Sequence, residues 1–292
     1  MSEPYRVIAD HISTTSGRPF VAYQVQRTGG GCINDAVVLA DGQRRYFVKL
    51  NRADWVDMFS AESEGLQAIS DTDAIRVPQP LCWGTDNRLA YIVMEYVEFG
   101  RAKDGTLAAL GRQLAAMHHC TAAEFGWHRD NTIGSTPQPN TASSDWVQFW
   151  CERRLGFQLE LAARNGYGDR LQSIGEHLMT QIDHLFTDYQ PQPSLLHGDF
   201  WGGNWSCDTS GVPVVYDPAV YYGDRETDIA MTELFGGFGT AFYEAYEEVW
   251  PLNAGYSRRK HLYNLYHILN HLNLFGGGYL AQAEGMIARL LR

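Results

Sequence analysis

The stretch LLHGDFWGGNW, Leu195 to Trp205, begins like a buried strand and breaks that pattern at His197-Gly198-Asp199. Asn204 completes the order H-x-D-x-x-x-x-N, and a later apolar run, VPVVYD, ends at Asp217. These residue types suit one chemistry, the transfer of a phosphoryl group from a nucleoside triphosphate to a hydroxyl. The hydroxyl needs a carboxylate to orient it and take its proton, the role expected of Asp199. The charge of the triphosphate needs magnesium, which prefers hard oxygen ligands. A carboxamide oxygen from Asn204 and a carboxylate from Asp217 are the candidates.

Phosphoryl-transfer enzymes of the protein-kinase type use this order of residues, and the first part of the chain holds its complement. Lys49 lies in the strand-like run YFVKL, where its amine can reach the α- and β-phosphates of ATP. A glutamate from the following helix should hold it. Of Glu62 and Glu64, Glu62 shares a helical face with Leu66 and Ile69 and is the one expected to do so. The turn Gly29-Gly30-Gly31 is expected to cover the phosphates with backbone N–H groups. In VMEYV (Val93–Val97), the carbonyl of Glu95 and the N–H of Val97 are the expected contacts of the adenine base. An isolated strand lysine or strand-end aspartate is more often solvated or a turn former. The joint order of all of them carries the reading.

These residues need two kinds of element to position them. The first ~95 residues read as five strands and one helix. Strands are expected at Phe20–Thr28, Cys32–Ala40 and Arg44–Leu50, with an Asp-Gly hairpin turn at Asp41–Gln43. Helical spacing of Phe59, Leu66 and Ile69 marks Trp55–Ile69, and strands are expected again around PLCWG and Arg88–Val97. After Gly100 the pattern becomes helical: Gly105–Cys120, Trp146–Asn165, Leu171–Phe186 and the C-terminal third. The segment Phe125–Asn140, rich in turn formers, is long for a simple connection and suggests function. The fold class expected is α+β, a bilobal protein-kinase-like fold. Residues 1–97 form a sheet-rich lobe, and residues 98–292 form a helical lobe carrying the catalytic and metal-binding loops.

Composition narrows the partners. The chain has 292 residues, 45% of them hydrophobic, and a net charge of −11, which argues against nucleic acid. No apolar run is long enough to span a membrane, and the first residues lack the order of a secretory signal. The five cysteines are scattered without a C-x-x-C pair, so a reducing cytoplasm is expected. Adjacent side chains in MHHC (Met117–Cys120) point about 100° apart on a helix and converge poorly on one ion. The expected state is a monomer or weak dimer.

At the level of whole motifs the chain resembles the fructosamine kinase (ketosamine 3-kinase) family, within the aminoglycoside and choline kinase-like group. The likeness rests on HGDFWGGN, on DPAVYYGDRETDIAM (Asp217–Met231), on GGGCIN (Gly29–Asn34), on FVKLN and on FGWHRDNTIGSTPQPN. It runs from about Phe20 to at least Met231. The resemblance implies ATP-dependent phosphorylation of the 3-hydroxyl of a ketosamine, a fructosamine or ribulosamine, free or on a protein lysine, as a step in deglycation. It implies ATP and Mg2+ as cofactors, with Asp199 as base, Asn204 and Asp217 on the metal, and Lys49 with Glu62 on phosphate. It further implies Trp201 as a platform for the sugar or its amine, and Asp228 as a structural brace of the catalytic loop. A kinase for an aminoglycoside, choline or another small hydroxyl compound is the alternative within the same chemistry. Asp224 departs from the histidine many relatives carry. Tyr221, Tyr222 and Arg225 either shape the substrate pocket or pack. Asn131, Gln138 and Asn140 either bind sugar or satisfy loop backbone. Cys32, beside the glycines, is a candidate redox-sensitive thiol.

Overall fold

The computed structural model describes residues 3–29, 33–86 and 88–292. Its contacts divide the chain into two compact units, Met1–Thr106 with Ser206–Pro218, and Leu107–Trp205 with Ala219–Arg292. The sequence reading put the division after residue 97 and kept the rest of the chain together. In the structure the division falls after Thr106, and residues 206–218 return to the first unit.

The first unit holds α1 (Glu3–Ser16), β1 (Gln24–Thr28), β2 (Asp35–Ala40), β3 (Arg45–Arg52), α2 (Val56–Ser70), β4 (Pro80–Thr85) and β5 (Leu89–Glu95). The strands form one antiparallel sheet in the order β1-β2-β3-β5-β4. Residues alternate between the two faces of such a sheet. Val37, Leu39, Val48, Leu50, Tyr91 and Val93 fall on one face and pack with Ile8, Ala9 and Ile12 of α1. Lys49, paired with Ala36 and Ile92, therefore falls on the other. The turn at Asp41 is closed by its own carboxylate, whose Oδ1 accepts the N–H groups of Gln43 and Arg44 at 2.9 and 2.7 Å. The expectation of a single helix here is corrected by α1. That segment offers only a short buried stripe among polar residues, too little for periodicity to reveal.

The remaining elements are α3 (Thr106–His118), β6 (Asn131–Ile133), β7 (Thr136–Gln138), α4 (Trp146–Trp150), α5 (Phe157–Arg164), α6 (Arg170–Met179), β8 (Ser194–Leu196), β9 (Trp205–Cys207), β10 (Pro213–Val215), β11 (Tyr221–Gly223), α7 (Glu226–Leu234), α8 (Thr240–Val249), α9 (Tyr256–Phe275) and α10 (Leu280–Leu290). Asp145 caps α4 by accepting the Gln148 N–H at 2.8 Å. A wide π turn over Cys151–Gly156 joins α4 to α5, a feature that recurs at functional sites. The core of the second unit is aromatic and aliphatic, with Trp146, Phe149, Trp150, Tyr263 and Leu196 among its buried members. Among the described residues no helix is long and apolar enough to cross a membrane.

Candidate active site

In the first unit the structure brings Lys49, Glu62 and Asp217 together. Lys49 Nζ lies 2.5 Å from Glu62 Oε1 and 2.6 Å from Asp217 Oδ1. Glu62 projects from α2 beside Phe59, Leu66 and Ile69, which are buried. Burial alone would lower the pKa of the Lys49 amine. The carboxylates of Asp217 and Glu62 outweigh it and hold the amine above the ordinary lysine value, so it stays charged. Burial pushes the Glu62 carboxyl up, against the pull of Lys49. Asp217 sits at φ +59°, a left-handed conformation uncommon for a residue with a side chain. Its carboxylate remains 43% exposed, so it is accessible to a ligand. Just before it, Tyr216 stacks on Phe99 of the link segment, with ring centroids 5.4 Å apart.

The proposed base contacts lie at the end of β5. The Glu95 carboxylate is occupied by Arg76 Nη2 at 2.7 Å, and Arg76 Nη1 reaches Asp208 at 2.5 Å. Val97 follows, nearly buried. Gly29 follows β1, and no described atom lies within 4 Å of where its Cβ would stand. Gly30, Gly31 and the candidate thiol of Cys32 lie outside the described residues.

The second unit holds the HGD segment. β8 delivers it, paired antiparallel with β11 so that Leu196 faces Tyr221. Gly198 has φ +81°, and a Cβ there would stand 2.0 Å from the carbonyl oxygen of Ala219. Only glycine meets both conditions. Asp228, in the first turn of α7, accepts the backbone N–H of His197 at 2.7 Å and of Gly198 at 2.9 Å. His118 Nε2 also reaches Asp228, at 3.1 Å, while its Nδ1 meets the Tyr246 hydroxyl at 2.8 Å. Burial works against charge on Asp228, but the hydrogen bonds from His118 and His197 hold its carboxyl below the usual range. Burial keeps His118 neutral, so Nε2 carries the proton and Nδ1 accepts from the tyrosine. His118, from the MHHC stretch, is thus a partner of Asp228 that local spacing does not reveal.

Asp199 and Asn204 meet directly. Asn204 Nδ2 donates to the Asp199 backbone oxygen and to Asp199 Oδ2, both at 2.9 Å. Spending the amide nitrogen there turns the Asn204 carbonyl oxygen to the opposite side of the carboxamide. That oxygen, in the second unit, and the Asp217 carboxylate, in the first, are each hard donors of the kind Mg2+ accepts alongside phosphate and water. Phe200 is buried between His197, Phe238 and Phe242. Trp201, next along, is 39% exposed. Its ring lies over Gly203, where a Cβ would come within 2.3 Å of it, and its edge meets Phe235.

The residues left open by the sequence take definite places. Asp224 is fully buried and accepts the hydroxyls of Tyr189, at 2.7 Å, and Tyr263. Arg225 is buried over the Trp250 ring and donates to Tyr246 and to the backbone oxygens of Trp250 and Pro251. Tyr221 is buried beneath Arg154. Gln138 and Asn140 are buried as well.

The fructosamine kinase family model matches residues 4–292. A probable ketoamine kinase of Synechocystis is 49% identical over 99% of this chain and 97% of its own length. The chloroplastic protein-ribulosamine 3-kinase of Arabidopsis thaliana is 46% identical over 95% of this chain and 86% of its own. A crystal structure from Haemophilus somnus, assigned as a fructosamine-3-kinase, superposes with a TM-score of 0.90 at 27% identity, covering 99% of this chain and 98% of that one. An aminoglycoside phosphotransferase solved with ADP and hygromycin B has a TM-score of 0.64 at 17% identity over 98% of both chains, and shares the fold alone, which is protein-kinase-like. With a family match that leaves out three residues and close relatives over nearly its full length, this chain belongs to the fructosamine kinase family.

Proposed function

We propose that the chain transfers the γ-phosphoryl group of ATP to the 3-hydroxyl of a ketosamine, free or on a protein lysine, as a step in deglycation. The observation that carries the substrate class is the 46% identity to a protein-ribulosamine 3-kinase over 95% of the chain. Asp199 orients the sugar hydroxyl and takes its proton as the oxygen attacks the γ-phosphorus. The new P–O bond forms at that oxygen, the bond to the β-phosphate oxygen breaks, and ADP leaves. Asn204 fixes one oxygen of the Asp199 carboxylate through its amide, which presets the direction of the base. Lys49, kept charged by its two carboxylates, would hold phosphate, with Glu62 fixing its amine. Asn204 and Asp217 would hold Mg2+, which when bound neutralises charge on the phosphates. Gly29–Gly31 would cover the phosphates, while Glu95 and Val97 would meet the adenine base through their backbone. Trp201 offers an exposed ring to the sugar or its amine, and Asp228 braces the loop.

The four described cysteines Cys82, Cys120, Cys151 and Cys207 are free thiols, which supports a reducing compartment such as the cytoplasm. The test of function is a panel of fructosamine, ribulosamine, aminoglycoside and choline with ATP, with the phosphate position determined in the product. Phosphate on O3 of either ketosamine, and none on the other two, is expected. Turnover of the aminoglycoside or choline alone refutes the assignment. Asp199→Asn is expected to lower turnover about 10²–10⁴-fold while ADP binding persists.

A further inference from the structure

Three carboxamides between residues 131 and 140 have no part in the transfer described above. β6 and β7 form a hairpin with Asn131 opposite Gln138. Gln138 and Asn140 have no exposed surface, so neither side chain can touch a bound sugar. Their bonds lead to main chain. Gln138 Nε2 donates to the carbonyl of Ala219 at 3.0 Å and to Asn131 Oδ1 at 2.9 Å. Asn131 Nδ2 donates to the carbonyl of Val220 at 2.8 Å. Asn140 Nδ2 donates to Asn131 Oδ1 at 2.9 Å.

The relay has a direction. A guanidinium can only donate, and Arg154 Nη2 donates to Asn140 Oδ1 at 2.8 Å. Arg154 is buried and its guanidinium lies over the Tyr221 ring, 4.0 Å from the centroid. With its oxygen committed to Arg154, Asn140 presents nitrogen to Asn131. Asn131 must then turn its oxygen inward and its nitrogen to Val220. The Tyr266 hydroxyl sets Gln138 in the same way, donating to Oε1 at 2.8 Å. A carboxylate could not donate to a backbone carbonyl, and a hydrocarbon could do neither.

The receiving peptides are those next to the chemistry. The Ala219 N–H donates to the His197 carbonyl at 2.8 Å, and its carbonyl oxygen packs against Gly198. Ala219 and Val220 follow Asp217 by two and three positions. We propose that Asn131, Gln138 and Asn140 are positioning residues, which lock the Ala219–Val220 peptides and so set both the His197–Gly198 turn and the segment leaving Asp217. The inference rests on the reading of Asp217 as a metal ligand.

The test uses the full chain with Gln138→Leu, which removes two donors and one acceptor of the relay. ADP binding is measured by calorimetry with and without Mg2+. Partners behind metal ligands typically contribute about 10- to 100-fold in metal affinity. A loss of that size is expected in the Mg2+-dependent part of ADP binding. Hydrogen exchange at the Ala219 amide should quicken, and KM for a small ketosamine should stay unchanged. Tyr266→Phe, which removes one bond at the far end, should move the first two readouts the same way but less. It carries the test if Gln138→Leu does not fold. A raised ketosamine KM with unchanged ADP binding overturns the proposal, and so do unchanged binding and unchanged exchange together. Asp217→Ala, run in parallel, separates the two readings. If Mg2+-dependent ADP binding survives that substitution, the metal assignment fails, and the exchange rate at Ala219 still judges the relay.

Discussion

Gly198→Ala tests how tightly the HGD turn is held. The backbone there is at φ +81°, and a side chain in the left-handed region costs about 1–2 kcal/mol. The added Cβ would stand 2.0 Å from the Ala219 oxygen, whereas ordinary contact begins at 3.4 Å, so the two backbones must part by about 1.4 Å. Overpacking of this kind costs about 1–3 kcal/mol. Together these give a loss of about 2–5 kcal/mol in urea unfolding. Asp199 is the next residue and must move with the turn. A displacement of about 1 Å can lower turnover about 10²-fold. ADP binding measured without Mg2+ should change far less, because Lys49 and Glu62 belong to the other compact unit. A variant that keeps both its unfolding midpoint and its turnover would refute the reasoning from crowding and from backbone strain alike.

Lys49→Met leaves Glu62 buried without its cation, so stability at pH 7 should fall by about 3–5 kcal/mol. The loss should shrink at pH 5 in the same unfolding assay, because a protonated Glu62 needs no partner. Asp228→Asn sets an amide nitrogen against donors that now meet a carboxylate, at a cost of about 3 kcal/mol. Its pH dependence has a definite sign. The folded Asp228 pKa lies below its ordinary 3.8, so its contribution is present above that value and is lost as pH falls through the folded one. The stability gap between wild type and variant should therefore be constant near neutrality and close in acid. Trp201→Ala should raise the ketosamine KM roughly fivefold, the value of about 1 kcal/mol for a cation over an aromatic face, with the melting temperature unchanged.

The sequence pointed to candidate residues mostly through what chemistry dictates by residue type, and the structure sets Asn204 against Asp199 and Asp217 against Lys49. A proton acceptor, a carboxamide oxygen and a second carboxylate have few substitutes, and their spacing pointed to Asp199, Asn204 and Asp217. Helical period singled out Glu62 over Glu64, and the bond to Lys49 is made by Glu62. Period also located α2 and the five strands to within a few residues. The return of residues 206–218 to the first unit was not legible, because it depends on Val214 pairing with Arg76 far back in the chain. Nor was the role of the hairpin carboxamides, since their partners are carbonyls of Ala219 and Val220, and a carbonyl leaves no mark on residue type. The place of Asp224 was not legible for a related reason. Its partners are the hydroxyls of Tyr189 and Tyr263, 35 and 39 residues away in the chain, beneath which it is buried.

The glycine of HGD follows from the brace on the other side of the turn. Asp228 accepts two consecutive N–H groups, one on each carboxylate oxygen. Consecutive amides converge on one anion where the backbone passes from right- to left-handed geometry, a concave arrangement that binds anions. Gly198 supplies the left-handed half. The same conformation brings the turn against the Ala219 carbonyl, where no Cβ fits. One residue therefore satisfies an anion, a φ angle and a close contact. Asp199 is consequently aimed by main chain on both sides, with the His197 and Phe200 side chains filling the core beneath. A larger residue at position 198 would have to surrender the Ala219 contact and the hairpin relay that feeds it. On this account the turn and the carboxamides of residues 131–140 are a single device, and a substitution at either end should disturb the same amide, that of Ala219.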